Sequence, residues 1–289
     1  MTITSFFLLL IMAACMGASD GGRGLLVRQM KVETAMAVLY LFFAVPTSLV
    51  VLWFYGVPEI QAGAWTALLI STGLHLPVTL LLYYGMKKTD LTVMGGIIAL
   101  APVSVLFGEW IINHDVPSGL GLSGVMVATI GAYVLKAEKF KDGPLQPFKV
   151  LFSDSGARLG LIMLAMFSVA VPCQRRAIQL SNPAFVLLFE MGCVAFVVTV
   201  LALVKNRDWQ KEIKKNSWLL VKTGSVWAIG VVCMYSALQN TLGSFVHTMR
   251  SLSVFFLLII AVRSLKESWK KPLPGLIVIF VGVTMIALS

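Results

Sequence analysis

The chain has few charged residues. Only 12% of its 289 residues are Asp, Glu, Lys or Arg, whereas 58% are hydrophobic. A soluble domain carries roughly 25% charged residues, so this chain has about half the usual supply for a water-facing surface. These proportions argue against a soluble globular domain and indicate an integral membrane protein.

Several chemical motifs are also missing. The sequence has no Walker-type phosphate loop, no His/Glu metal motif on a helix and no Gly-x-Ser-x-Gly nucleophile elbow. Its four cysteines fall inside apolar segments, without zinc-like spacing or a disulfide framework. We therefore expect no enzymatic activity, no cofactor and no metal site, and no ATP-driven pumping by this chain alone.

The apolar residues come in blocks of membrane-spanning length. Short charged or Pro/Gly-containing breaks separate the blocks, which together leave no room for a separate catalytic domain. The predicted fold class is all-α integral membrane, with ten transmembrane helices. The predicted spans are 3–25, 33–55, 62–84, 91–112, 118–135, 159–179, 183–204, 217–238, 242–262 and 273–288.

The net charge of +10 could indicate nucleic-acid binding or could set membrane topology. Of the 23 Lys and Arg residues, 18 lie in the loops after spans 1, 3, 5, 7 and 9, and the alternate loops contain none. Cytoplasmic loops are enriched in Lys and Arg, so topology explains the excess. We expect a multi-pass protein of the bacterial inner membrane, monomeric or homodimeric, with both termini outside and no nucleic-acid partner.

The two halves of the chain share a sparse pattern. Tyr83 lies 32 residues before Asp115, and Tyr235 lies 32 residues before Glu267. Two glycines seven positions apart follow each acidic residue, namely Gly124 and Gly131, then Gly275 and Gly282. This spacing predicts an internal repeat.

The repeat predicts the domain organisation. A first five-helix repeat covers 1–140, a basic cytoplasmic linker covers 141–158, and a second five-helix repeat covers 159–289. An odd number of spans in each half forces the second half to insert inverted. Inverted repeats around a central cavity are a recurring architecture of transporters.

Several segments resemble motifs of a known family. These are YYGMKKT at 83–89, ALAPV at 99–103 and DVPS at 115–118, echoed in the second half by YSALQNT at 235–241 and LKE at 265–267. Together they are similar to the drug/metabolite transporter superfamily, EamA branch. The resemblance covers essentially the whole chain and implies a ten-helix transporter of small molecules.

The chain departs from the family pattern at two positions. Asp115 lacks the usual Gly and Arg neighbours, and Val254 stands where the second half should have a proline. Many members of the family also place their termini in the cytoplasm, whereas the loop charges here place them outside.

Charged residues at membrane depth are functional candidates, because each costs at least about 2.5–3.5 kcal/mol there. Glu190 and Arg250 both lie about eight residues into their spans, at a shared depth of roughly 12 Å. His247, three residues before Arg250, shares its helix face. These residues form either a central substrate or proton site, or a buried ion pair that locks two helices together.

Two further groups stand near the ends of their spans. Arg175 and Arg176 follow Pro172 in span 6, and we expect Arg175 to be the one that faces the cavity. Asp20 and Arg23 lie three residues apart in a glycine-rich run. This second pair is either an intrahelical ion pair at a kink or an inner gate or coupling site.

The remaining polar and aromatic candidates have weaker patterns. Glu109 is placed to pair with an arginine of span 6, and Lys222 is expected to extend to the membrane interface. His75 is expected to be a packing histidine. Trp227 and Tyr235 either line the cavity or pack between helices.

The first functional hypothesis is a secondary active transporter of a small anionic or zwitterionic metabolite, working by alternating access with protons or by exchange. Glu190, alone or with His247, would couple protons, while Arg250 and Arg175 would hold a carboxylate or phosphate of the substrate. The alternative is a proton-coupled exporter of lipophilic cations that uses Glu190 and Glu109. An integral-membrane enzyme acting on lipid head groups is a more distant alternative.

Overall fold

The computed structural model of the chain describes residues 2–88, 94, 97–137, 154–253, 255–256 and 273–289. No β-strand occurs among these residues. Their helices are α1 Ile3–Gln29, α2 Val32–Tyr55, α3 Ala64–Lys88, α4 Ala101–Gly108, α5 Gly119–Ala137, α6 Ser155–Gln179, α7 Pro183–Lys205, α8 Trp209–Leu238, α9 Gly243–Arg250 and α10 Leu273–Ala287.

Six of the described helices are long and apolar enough to cross a membrane: α1, α2, α3, α6, α7 and α8. Shorter apolar helices cover Gly119–Val134 within α5 and Pro274–Ala287 within α10. The prediction of an all-α membrane protein is therefore confirmed. The predicted spans 91–112 and 242–262 lie partly outside the described residues, as does most of the predicted linker 141–158.

Side-chain caps set the starts of α6 and α7. Asp154 Oδ1 accepts the amide of Ala157 at 2.7 Å, and Asn182 Oδ1 accepts the amide of Phe185 at 2.7 Å. The first amides of a helix lack partners within it, and a membrane supplies few others. The cap at Asn182 therefore fixes where α7, the helix that carries Glu190, begins.

Prolines limit the backbone hydrogen bonding of two of the central helices. α2 widens into a π-helical turn over Tyr40–Ala44, immediately before Pro46. In α6, Pro172 has no amide hydrogen to donate to the Ser168 carbonyl. Gly108 of α4 packs on that carbonyl, so closely that a Cβ there would lie 1.5 Å from its oxygen. The face of α6 at Ser168 thus admits α4 only through a glycine.

The helices pack in pairs drawn from the two halves of the chain. The most extensive contacts join α3 to α6, α5 to α10, α1 to α8 and α2 to α7. α4 contacts both α6 and α9. The interior of the bundle therefore forms largely between the two halves.

The antiparallel pair α2 and α7 is joined at both ends. Asn182, before α7, donates to the Gly56 carbonyl at 3.0 Å, and Asn206, after α7, donates to Thr34 Oγ1 at 2.8 Å. We call the bundle face at Gly56 and Asn182 the α6–α7 face. The opposite face, at Thr34 and Asn206, is the α1–α2 face.

Glycines allow α5 and α10 to approach closely. A Cβ added to Gly124 would lie 2.7 Å from the Gly282 carbonyl oxygen, and one added to Gly282 would lie 2.4 Å from the Ala128 amide nitrogen. Small residues at such contacts let helix backbones touch within a membrane. The repeated glycines of the sequence therefore face one another.

The variant Gly282→Leu should separate α5 from α10, because backbone atoms cannot move aside as a flexible side chain can. We expect destabilisation of about 1–3 kcal/mol or more, measured as a lower melting temperature of the purified protein. Gly192→Leu is the matched control, since nothing lies within 4 Å of a Cβ at that position. Equal melting temperatures of the two variants would contradict the close contact.

Candidate functional site

A cavity of about 100 Å³ lies between the helices of the two halves. Its walls come from α1, α2, α3, α4, α6, α7, α8 and α9, so the α5–α10 pair lies outside it. Six of the residues that the sequence predicted for the site line this cavity: Arg23, Glu190, Trp227, Tyr235, His247 and Arg250. The structure therefore gathers residues from both predicted repeats at one place.

Glu190 of α7 is fully buried and joins four helices. One oxygen accepts a hydrogen bond from Ser71 Oγ of α3 at 2.6 Å. The other accepts from Gln174 Nε2 of α6 at 2.6 Å and from the Tyr235 hydroxyl of α8. His75 Nδ1 of α3 lies 3.6 Å from the same oxygen.

The contacts of Glu190 determine what its carboxyl group can do. Ser71, Gln174 and Tyr235 are neutral donors, and no Lys or Arg forms an ion pair with Glu190 among the described residues. An unpaired charge is costly at this depth. Binding a proton or a cationic group would remove that cost without breaking an ion pair.

A cationic cluster forms a second part of the site. Arg23 and Asp20, three residues apart on α1, form an ion pair, and Arg250 Nη2 of α9 lies 3.6 Å from the Asp20 carboxylate. The Arg23 guanidinium also packs 5.9 Å from the ring centre of Trp227 and 6.0 Å from that of Tyr83. Two arginines thus share one carboxylate beside the cavity.

The alternative of an ion pair between Glu190 and Arg250 is wrong for this structure. Equal depth in two helices does not fix the direction in which their side chains point. Glu190 faces α3, α6 and α8, whereas Arg250 extends to Asp20 of α1. The two charges line the same cavity but have different partners.

Glu109 and Arg175 have contacts outside the cavity lining. Glu109 accepts the amides of Gly243 at 2.5 Å and Ser244 at 3.2 Å, at the positive N-terminal end of α9. Arg175 forms an ion pair with Asp115 and donates to the Thr241 carbonyl at 3.1 Å.

Arg175 is buried and Arg176 is exposed, but Arg175 is not among the residues that line the cavity it was expected to face. Arg175 Nη1 also approaches Glu109 to 3.9 Å. These contacts tie α4, α6 and α9 together near the α6–α7 face.

Aromatic groups form part of the cavity wall. The Tyr40 and Trp227 rings are 4.9 Å apart, and the Phe167 ring lies 4.8 Å from that of the buried His247. These planar surfaces lie beside both polar parts of the site. They suit the apolar body of a solute with charged ends.

Sequence reasoning missed several residues of the site. Ser71, Gln174 and Tyr40 were not considered, and His75 was assigned to packing, although it lines the cavity beside Glu190. One signal was available, because Ser71 and His75 are four residues apart and share one face of an apolar helix. Neither residue points to Glu190 until α3 and α7 are placed together.

Replacing Tyr235 with Phe should destabilise the protein, since it removes one donor from a fully buried carboxylate. We expect a loss of about 1–3 kcal/mol, measured by thermal unfolding in detergent. Tyr55→Phe makes the same chemical change at a side chain that is half exposed and should leave the melting temperature unchanged. Equal stability of the two variants would rule out a structural role for the Tyr235 hydroxyl.

Comparisons with known proteins bear on the fold alone. No family model matches the chain, and no curated protein matches it. One solved structure, described only as the crystal structure of a protein, superposes with a TM-score of 0.70 at 12% sequence identity. The match covers 99% of this chain and 96% of that one. The chain therefore has a fold already seen in a solved structure.

Proposed function

We propose that this chain is a secondary active transporter that moves a small anionic or zwitterionic metabolite by alternating access, coupled to protons or to exchange. One observation carries the proposal: a cavity within a membrane protein holds a carboxylate that pairs with no Lys or Arg among the described residues, and two arginines that share one acid. Charges are retained at this depth for function more often than for stability.

The proposal includes ten spans in two inverted five-helix repeats of the EamA type. The packing supports this arrangement. If the first helix of one half corresponds to the first helix of the other, and so on, then α1 corresponds to α6 and α3 to α8. Exchanging the halves then turns the α1–α8 contact into the α3–α6 contact. The same operation maps the α2–α7, α4–α9 and α5–α10 contacts onto themselves. A pattern of contacts unchanged by exchanging the halves is what a twofold repeat produces.

Interrupted helices give a second argument for the repeat. A turn at Ala99 and Leu100 precedes α4, and a turn at Ser251 and Leu252 follows α9. The two turns are 152 positions apart, the same offset that separates Tyr83 from Tyr235. Binding sites of transporters are commonly built where helices are interrupted in this way.

Hydrogen bonds and ion pairs close the bundle at both faces. At the α6–α7 face they join Arg175 to Asp115 and Asn182 to Gly56. At the α1–α2 face, Glu33 accepts from the Tyr84 hydroxyl at 2.6 Å and pairs with Lys205, among other contacts. Opening one set while the other holds would expose the cavity to one side at a time.

Glu190 is the proposed coupling group. Its protonation would remove the negative charge of its own carboxyl group at one stage of the cycle, and its ionisation would prepare the cavity for a proton or a cationic substrate group at the next. Ser71 links it to α3 of the first half, and Gln174 and Tyr235 link it to α6 and α8 of the second half, so a change in its charge acts on both halves.

Export of lipophilic cations is the second candidate. The Tyr40–Trp227 ring pair and the absence of a described ion pair between Glu190 and a Lys or Arg favour it. In this case Glu190 alone would exchange proton and cation, because Glu109 is occupied by the first amides of α9.

A flux assay tests the transport proposal. The purified protein, reconstituted in liposomes, is supplied with amino acids, phosphorylated sugars, nucleotides or quaternary amines while an internal dye reports pH. We expect substrate-dependent proton movement that Glu190→Gln reduces at least about tenfold, with substrate exchange retained. Glu59→Gln, at an exposed loop position, is the control.

The outcomes of this assay separate the candidates. Flux of anions or zwitterions supports the first function, and flux of quaternary amines alone supports the second. No flux above empty liposomes for any member of the panel would refute both.

The proposed orientation places the α1–α2 face in the cytoplasm and both termini outside, in agreement with the loop charges. A reporter active only in the cytoplasm should therefore be silent when fused to either end of the chain. The same reporter inserted after Arg207, in the α7–α8 connection, should be active. Activity at either terminus would overturn the orientation.

A further inference from the structure

We infer that Arg23 and Arg250 form a subsite for the carboxylate group of the transported solute. This inference deepens the proposed function and rests on it for the identity of the ligand as a substrate. Both arginines line the cavity and come from different halves of the chain, α1 and α9. A ligand held between them would therefore touch both of the parts that move in alternating access.

An unused donor points to a ligand at this position. Arg23 is only 4% exposed, and its Nε has no hydrogen-bond partner among the described residues. Leaving such a donor unpaired costs about 1–3 kcal/mol or more. A guanidinium presents Nε and one terminal nitrogen side by side, which matches the two oxygens of a carboxylate.

Arg250 is placed to share the same ligand. Its Nη2 lies 3.6 Å from Asp20, which is longer than the 2.7–2.9 Å of a charge-assisted hydrogen bond. Asp20 already forms the ion pair with Arg23. Arg250 therefore has charge available for a second anion beside Arg23.

The balance of charge selects a monoanion. Arg23, Arg250 and Asp20 together carry one net positive charge, which a single carboxylate would neutralise. A phosphate group with close to two negative charges at pH 7 would leave an excess negative charge at membrane depth, where isolated charges are costly. The cluster as built thus favours a carboxylate over a phosphate.

Equilibrium binding to the purified full-length protein in detergent tests the subsite without any flux. The probes are acetate and benzoate, with acetamide and benzamide as neutral analogues of the same shape. The carboxylates should raise the melting temperature and the amides should not. Arg23→Gln and Arg250→Gln should each raise the apparent Kd at least about tenfold.

Further variants control for the loss of an arginine elsewhere in the chain and for variants that fail to fold. Arg176→Gln removes an exposed arginine and should leave the apparent Kd unchanged. Arg23→Lys keeps the charge but loses Nε, and should weaken binding at least about fivefold, so the test survives if a Gln variant fails to fold. Asp20→Asn leaves two net positive charges, and should allow inorganic phosphate to bind where the wild type does not.

Each result bears on one proposal. Unchanged carboxylate affinity in Arg23→Lys, or equal stabilisation by acids and amides, would overturn the subsite even where flux is observed. Arginine-dependent binding without flux in liposomes would support the subsite and refute the transport function. If Asp20→Asn does not bind phosphate, the net charge of the cluster is not the reason that it prefers a carboxylate.

Discussion

The cost of holding charge away from water is the constraint on which this structure depends. The interior stabilises its charged groups in three ways. Glu190 is surrounded by neutral hydrogen-bond donors, Glu109 lies against the first amides of α9, and Arg23 is paired with Asp20. The neutral donors around Glu190 come from three helices, so one carboxylate fixes how α3, α6 and α8 meet α7. The organisation of the site follows from stabilising this group.

The proposed repeat supplies the scaffold, and local partners supply the chemistry. Arg23 and Arg175 are 152 positions apart, so the proposed repeat would make them equivalent. Yet Arg23 lines the cavity, whereas Arg175 pairs with Asp115 and bonds the Thr241 carbonyl. The equivalent side chain therefore closes one face of the bundle while its counterpart is available to a ligand. The proposed repeat thus accounts for the packing of the helices, but the two arginines that it makes equivalent have different partners.

The sequence predicted those parts of the structure that depend on one helix at a time. Hydrophobic length located the six described helices that are long enough to cross a membrane. The spacing of three between Asp20 and Arg23 offered an intrahelical ion pair as one of two interpretations, and the structure contains that pair. The 100° step between neighbouring residues separates buried Arg175 from exposed Arg176, but Arg175 is not among the residues that line the cavity it was expected to face.

Contacts between side chains of different helices could not be predicted in this way. The depth of Glu190 and Arg250 along their helices was estimated from the sequence, but the rotation of each helix about its axis was not. Their partners therefore came out wrong. Ser71 was missed for the same reason, because a serine in an apolar helix is unremarkable until a carboxylate lies beside it.

Under the proposed cycle, the proton group and the carboxylate subsite must influence each other although their described contacts are separate. α8 provides the connection. Tyr235 bonds Glu190, and Trp227, eight residues earlier on the same helix, packs on Arg23. Eight residues span about 12 Å along a helix, so a rotation or shift of α8 would reach both groups at once. Protonation of Glu190 would then act on the arginine pair through the position of a helix, without direct contact between the charges.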